Sequence, residues 1–463
     1  MQSKPFRELF AIPLRNGLTK PKAVRGAGTK MVNMGELFAN PRITEIAMDR
    51  VPLNQSERNL SLLAAGDLLF ARQSLVLSGA GKCSIFVSDK EEVCFESHVI
   101  RCRLNRDLAD PDFYFYFFSS PAGRKLIESI VEQGAGASGI RGSDLAELAV
   151  PWIDPKIQVR VATVLRHLDN KIAINRLINK TLEAMVQAIF KSWFIDFDPV
   201  KAKIAAIAEG RDPMRAAMSA ISGKPEAELD DLPPEQYEQL AATAALFPAD
   251  MDESAFGEIP RSWALGVLGD ICSFTAGSAF KPEHQGSTEG DYPFIKVSDM
   301  NLAGNEVFIK SANNYVSKDQ QSEMKAKLHP TGATVFAKIG VALTSNRRRL
   351  LTTPTIIDNN LMSVSPVDGK SGRYFLYSML NTIDFNTLVS GTALPYVNVS
   401  DLKKILIVRP LHEVVLAFEA KVSSTFAMMQ TLAVQSSTLA TTRNVLLPKL
   451  LSGEVEVSGM LGG

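Results

Sequence analysis

Ala65-Gly66-Asp67-Leu68-Leu69-Phe70-Ala71-Arg72 returns 266 residues later as Thr331-Gly332-Ala333-Thr334-Val335-Phe336-Ala337-Lys338. Each copy sets a glycine turn before a short apolar run and ends on a cation, the pattern of a buried strand leaving a turn. Four more blocks repeat in the same order. Met31-Val32-Asn33-Met34-Gly35-Glu36-Leu37 echoes Phe294-Ile295-Lys296-Val297-Ser298-Asp299-Met300, and Ser97-His98-Val99-Ile100-Arg101-Cys102 echoes Asn359-Asn360-Leu361-Met362-Ser363-Val364. Phe113-Tyr114-Phe115-Tyr116 pairs with Tyr374-Phe375-Leu376-Tyr377, and Gly142-Ser143-Asp144-Leu145 with Val399-Ser400-Asp401-Leu402. The offsets stay between 257 and 266 residues. Five blocks in one order at nearly one offset make the chain two copies of a unit of about 200 residues. Each copy is a globular domain followed by a long helix.

The globular parts read as mixed α and β. Strand candidates such as Leu68-Leu69-Phe70 and Ser84-Ile85-Phe86-Val87 alternate with the turns Gly79-Ala80-Gly81 and Gly134-Ala135-Gly136. An amphipathic helix is expected near 111–131 and its copy near 371–389. Asp154 suits an N-cap and Pro155 the first helical position. Beyond them Ile157, Val161, Val164, Leu168 and Ile172 recur at helical spacing, then Ile178, Leu182, Met185, Ile189 and Trp193, with a polar patch at Asn175 and Asn179. The second long helix follows Pro410 with Val415, Phe418, Val422, Phe426 and Met429, and is expected to stop near Leu447, before Pro448. Neither helix can bury such a seam alone. The two are expected to pair as an antiparallel coiled coil, a rod setting the separation of the globular parts. The fold class is therefore α+β: two tandem α/β domains, each followed by one of the paired helices.

Composition narrows the function. The chain has 463 residues with 50 acidic and 50 basic side chains, and 46% of it is apolar. Residues 225–260 hold ten acids and no Lys or Arg, so the remaining 50 basic and 40 acidic residues leave a formal +10 elsewhere. A basic body with a segregated acidic stretch permits a polyanionic partner. No run of about 18 apolar residues exists, and Lys4, Arg7 and Glu8 stand where a signal peptide would be apolar, so the protein is expected in the cytoplasm. Cys83, Cys94, Cys102 and Cys272 include no C-x-x-C pair and the five histidines are scattered, which argues against zinc fingers and disulfide frameworks in favour of small buried thiols.

Catalytic motifs are missing. Ser78-Gly79-Ala80-Gly81-Lys82-Cys83 has Val76 where a phosphate-binding loop needs its first glycine and Cys83 where it needs Ser or Thr. Asp196-Phe197-Asp198-Pro199 reads as a helix end at a proline, not a carboxylate cluster. Pro233-Pro234, the single Pro-Pro pair, is flanked by Leu232 and Glu235, not by the Asn or Asp and aromatic of a base methyltransferase. Cations on turns are the remaining candidates for DNA contact: Arg72, Lys82 and Arg141 in the first copy, and Lys296, Lys338 and the run Arg347-Arg348-Arg349 in the second. The guanidinium fork can pair with guanine or straddle a phosphate.

Several segments are similar to one family. Gly66-Asp67-Leu68-Leu69-Phe70-Ala71-Arg72 resembles the specificity subunits of type I restriction–modification systems. So do Gln158, Leu168-Asp169-Asn170-Lys171-Ile172, Asn175-Arg176, Asn179-Lys180-Thr181-Leu182-Glu183-Ala184 and Phe190-Lys191-Ser192-Trp193-Phe194. Leu446-Leu447-Pro448-Lys449-Leu450-Leu451-Ser452-Gly453-Glu454 is similar to the family's closing motif, and Gly257-Glu258-Ile259-Pro260-Arg261-Ser262-Trp263 to the start of its second recognition domain. The pattern departs from the family at Val150-Pro151-Trp152-Ile153-Asp154-Pro155, in place of a Pro-Leu-Pro-Pro-like approach to the central helix, and at Val414, in place of Gln.

The resemblance implies two target-recognition domains, 1–155 and 263–409, each reading one part of a split, asymmetric sequence in double-stranded DNA. It implies a central conserved helix at 156–198 and a C-terminal conserved helix at 410–451, with an acidic linker at 199–262 and a tail at 452–463. The helices would dock two methyltransferase subunits, which use S-adenosylmethionine, and, where the system cleaves DNA, two restriction subunits, which use ATP and Mg. The chain itself would be non-catalytic, with no cofactor and no metal. Leu168, Ile172, Leu182, Ile189, Phe190, Trp193, Phe426 and Leu447 are the candidates for the coiled coil and partner docking. The competing classes are a self-sufficient methyltransferase or nuclease, disfavoured by the missing motifs, and a scaffold that binds no DNA.

Overall fold

The computed structural model describes residues 2–134, 136–255, 257–391, 395–452 and 454. The tail expected at 452–463 therefore lies almost wholly outside the described residues, as does Ala135 of the turn at 134–136. The chain divides into two units, Met1–Ala173 with Thr438–Gly463, and Ile174–Ser437.

In the first unit a five-stranded sheet has the order Phe10–Asn16, Val99–Leu104, Leu68–Ala71, Cys83–Phe86, Arg42–Ile43. The last pair is parallel and the others antiparallel. A three-stranded sheet joins Asp49–Val51, Thr29–Val32 and Val93–Phe95, and Gln2–Pro5 pairs with Ala149–Trp152. The aromatic segment forms two helices, Pro111–Ser119 and Pro121–Glu128, because Ser120 and Pro121 end one and cap the next. Phe113, Tyr114 and Phe118 are buried there against Phe6 and Phe70.

The second unit repeats these three sheets, while a further small sheet of Gln73–Ser74, Glu132–Gln133 and Ser138–Gly139 belongs to the first unit alone and the hairpin Met251–Ser254 with Gly257–Pro260 to the second. Its sheet runs Cys272–Ala276, Leu361–Pro366, Thr334–Ala337, Arg348–Leu351, Phe308–Ile309, again with the last pair parallel. Tyr315–Val316, Tyr292–Ile295 and Ile356–Ile357 form the second sheet, and Ala264–Val267 pairs with Leu406–Arg409. Gly66 and Gly332, which open the equivalent strands, have φ of 91° and 85°, a region that favours glycine. Gly17 and Gly277, which follow the first strand of each sheet, lie against the carbonyls of Phe95 and Asp358, where a Cβ would come within 2.1 and 1.9 Å. Both copies thus need glycine at the same two places.

The two long helices are Pro155–Phe194 and His412–Ser452. Asp154 caps the first, its carboxylate accepting from the Lys156 amide at 2.8 Å. Within the first unit Val161, Ala162 and Leu165 share a core with Leu447, Leu450 and Leu451, and Arg443 pairs with Asp169 at 2.6 Å. Within the second, Asn175 donates to Gln435 at 2.8 Å, Asn179 donates to the Met429 carbonyl at 3.1 Å, and Phe190 meets Phe418 with ring centroids 5.7 Å apart. Rising numbers on one helix meet falling numbers on the other, so the pairing is antiparallel. The fully buried Asn175 supplies the kind of interior polar contact that pins register in paired helices.

Three local expectations are corrected. The C-terminal helix does not stop near Leu447 but continues through Pro448 to Ser452. A mid-helix proline costs about 3 kcal/mol, and here the exposed Pro448 is outweighed by burial of Leu447, Leu450 and Leu451 on the opposite face. Ile157 and Met185, read as seam positions, are 46% and 54% exposed, while Leu165, Val186 and Phe190 are buried. The buried face is turned because the helix packs on its own globular core as well as on the other helix. The segment read as an acidic linker is folded into the helices Asp198–Ala208, Pro213–Ser222 and Pro234–Ala245. Val200, Met218, Ile221, Leu229 and Phe247 carry it into the core of the second unit. Arg211, Arg215 and Arg261 pair with Glu226, Asp230 and Asp250 of the acidic stretch.

Candidate nucleic-acid interface

In each unit one candidate cation stands where the central strand of the sheet ends. Arg72 follows Leu68–Ala71; its amide donates to the His98 carbonyl at 2.8 Å and its carbonyl accepts from Ile140 at 2.9 Å. Lys338 follows Thr334–Ala337; its amide donates to the Asn360 carbonyl at 2.9 Å and its carbonyl accepts from Val397 at 3.0 Å. Both side chains are half-buried.

Around Arg72 a groove of about 480 Å³ is lined by Asn16, Gln73, Glu132 and Arg141 among others. It shares Asn16 and Gly142 with a cleft of about 690 Å³ that also holds Arg7 and Arg15. Arg141 is exposed on one wall and pairs with Glu132 at 2.8 Å. Arg7, Arg15 and Asn16 were not singled out in the sequence; a signal was present, since the exposed Arg15-Asn16 immediately precedes the constrained Gly17.

Lys82 stands differently. Its ammonium donates to the Phe38 carbonyl at 2.8 Å, 5.3 Å from the Phe38 ring centroid, and burial, reinforced by Arg124, lowers its pKa. Arg124 itself reaches the Ser78 and Ala80 carbonyls at 3.0 and 3.2 Å. In the second unit Lys296 occupies a helix-cap position: its amide donates to Asp299 at 2.7 Å, and its ammonium to the Gln285 side chain, 5.1 Å from the Phe280 ring centroid.

The arginine run, expected on a turn, lies mostly in a strand. Arg348–Leu351 is a strand, and the three side chains have three environments. Arg347 is exposed. Arg348 is 3% exposed and lies 3.9 Å over the Phe385 ring, donating to the Asn346 and Ile383 carbonyls; burial pushes its pKa down to about 10. Arg349 is half-buried, donates to the Arg348 carbonyl at 2.8 Å, and has its pKa lowered by burial, against the opposing pull of Tyr377 and Glu183. Arg348 is held inside its own domain by the Phe385 ring and two carbonyls.

The residues expected to pair the helices and to dock partners lie mainly in the packed interior of the chain. Ile172, Phe190, Trp193, Phe426 and Leu447 are buried, and Leu168, Leu182 and Ile189 are half-buried. Trp193 packs edge-on to Phe247 at 5.2 Å, and Phe426 stacks on Tyr374 at 3.9 Å. The exposed large apolar positions of the central helix are Ile157 and Val159 near its start and Ile174, Leu177 and Met185 along a second stripe that the seam reading absorbed or passed over.

No catalytic constellation is visible among the described residues. Cys83, Cys94, Cys102 and Cys272 are free and buried, and burial raises each thiol pKa. Among the described residues no group of three or more His, Cys, Asp or Glu could hold a metal ion, and no helix is long and apolar enough to cross a membrane.

Comparison with known proteins gives one answer. A family model described as the type I restriction modification DNA specificity domain matches residues 2–184 and 260–414. The chain is 30% identical over 410 residues to the HindI specificity subunit of a type I restriction enzyme from Haemophilus influenzae, covering 84% of this chain and 86% of that one. It is 23% identical over 410 residues to the MjaIX specificity subunit from Methanocaldococcus jannaschii, covering 88% and 83%. Among solved structures, the S subunit of a type I restriction–modification system from M. genitalium aligns over 97% of this chain and 95% of that one, at 15% identity and a TM-score of 0.47.

Proposed function

The chain belongs to the type I restriction–modification DNA specificity family, and from that premise we propose that it recognises a split, asymmetric DNA target, one half-site with each unit. The observation that carries this reading is the pair Arg72 and Lys338, two cations at the same strand end of two sheets with the same topology. A shared scaffold with non-identical side chains at its rim is suited to reading two different sequences. In dimeric DNA readers a repeated scaffold meets two half-sites; here the repeat lies within one chain.

Arg7, Arg15, Arg72 and Arg141 in the first unit, and Lys338 and Arg347 in the second, supply the positive charge toward phosphates and bases. Ile174, Leu177 and Met185 give the central helix an apolar face for the modification subunits, two of which would methylate adenine with S-adenosylmethionine. Restriction subunits, with ATP and Mg, would join the same assembly in a system that cleaves. This chain contributes recognition and no chemistry.

The test is to select duplexes from a randomised pool with the assembly of this chain and its modification subunits. Two separated blocks of different sequence are expected. One contiguous block, or no enrichment, would overturn the reading.

A further inference from the structure

Beyond the cations, one apolar feature repeats in both units. Leu75 and Val341 are the two most exposed large apolar side chains among the described residues, at 88% and 82%. Leu75 lies three residues after Arg72 and Val341 three residues after Lys338. The far ends of the two loops also correspond. Phe70 faces Cys83 across its ladder as Phe336 faces Arg348, so Lys82 and Arg347 take the same place, each one residue before the returning strand. Each loop thus leaves the sheet at a cation, raises its most exposed aliphatic side chain three residues on, with Val76 and Leu77 also exposed in the first loop, and re-enters at a cation.

Both loops are braced from below. Arg124 binds the Ser78 and Ala80 carbonyls of the first, and Arg348 binds the Asn346 carbonyl of the second. A guanidinium on the loop's own carbonyls fixes its shape and adds positive charge at its base. A single exposed leucine needs no explanation. The same exposure at equivalent positions of both units does.

We propose that Leu75 and Val341 are specificity-determining residues, each pressing its aliphatic side chain against a base in the groove of its own half-site while Arg72 in the first unit and Lys338 and Arg347 in the second meet the phosphates. This rests on the DNA-recognition reading above and deepens it. The cations favour DNA over an apolar protein partner, and a short aliphatic side chain suits contact with a base edge such as the thymine methyl. The two side chains differ in size and shape, as expected of loops serving different half-sites.

Because both side chains are almost fully exposed, Leu75→Ala and Val341→Ala leave the fold intact, and binding can be read directly. The assembly with modification subunits is titrated with the duplex enriched from the randomised pool and with a random-sequence duplex. Each variant is expected to lose about tenfold for the enriched duplex. Affinity for the random duplex and the slope of affinity against salt should stay unchanged, since no charge is removed. Repeating the selection with each variant should relax one position, in different blocks for the two. Unchanged affinity for the enriched duplex, an equal loss on both duplexes, or a loss of the modification subunits from the assembly would overturn the proposal. If the unaltered assembly fails to prefer any duplex, the recognition reading falls with it; if it discriminates and the variants match it, the proposal alone fails.

Discussion

Arg72 and Lys338 hold the same position in two separate sheets, each taking its amide bond from the neighbouring strand end and giving its carbonyl to a later loop, with all four hydrogen bonds between 2.8 and 3.0 Å. Their side chains differ, yet each keeps a positive charge at the sheet edge. If each meets a phosphate, Arg72→Ala and Lys338→Ala should weaken binding to all duplexes about equally. The slope of log affinity against log salt should then fall by about 0.9 for each variant. A salt titration of the assembly checks this, and an unchanged slope would remove the residue from the interface.

The three consecutive arginines should separate by experiment. Arg347→Ala is expected to leave the melting temperature unchanged and to weaken DNA binding, because its side chain is exposed. Arg348→Ala should lower stability by about 1–3 kcal/mol, since it strips the Phe385 ring and two carbonyls of their partner. Thermal unfolding and DNA titration of both variants decide the matter; a stable Arg348→Ala would contradict the buried role.

The central helix carries one buried and one exposed apolar face. Phe190→Ala opens a cavity among Phe194, Phe375 and Phe418 and should cost about 3–5 kcal/mol. Leu177→Ala with Met185→Ala removes exposed side chains, so stability should move by less than about 0.5 kcal/mol. Affinity for the modification subunit should nonetheless fall. Calorimetric unfolding beside titration with that subunit reads both effects.

His329 makes the second unit sensitive to acid. It is fully buried, its Nδ1 2.5 Å from the Ser363 hydroxyl, and burial, with Lys327 nearby, holds its pKa down to about 4. The unfolded chain, with an ordinary histidine pKa near 6.5, binds the proton first. The stabilisation is therefore complete above about pH 6.5 and is lost as pH falls toward 4, by an amount on the order of 3 kcal/mol. His329→Asn should lose less stability between pH 7 and pH 4 than the unaltered protein, as denaturant unfolding at the two pH values would show.

Much of this architecture could be read from residues alone. The repeat was legible because both copies need glycine before the same strand, at Gly66 and Gly332, and apolar residues within it. The start of the central helix was legible in Asp154 and Pro155. Sheet order was not, since two-residue parallel strands such as Arg42–Ile43 and Phe308–Ile309 carry no periodicity. The helices within 198–245 are short and alanine-rich, so no long apolar stripe marks them, and only Pro234–Ala245 lies inside the acidic run. The burial of Arg348 depends on a ring and a carbonyl contributed by Phe385 and Ile383, more than thirty residues away, which no local pattern announces.

The central claim is that this chain directs modification to one split sequence. A genome-wide map of N6-methyladenine in the source cell, with and without the gene, tests it most directly. The account predicts that a single asymmetric motif, two blocks separated by a non-specific spacer, loses its methylation when the gene is removed. Loss from a contiguous or symmetric motif, or an unchanged map in cells whose partner methyltransferase is expressed, would contradict it.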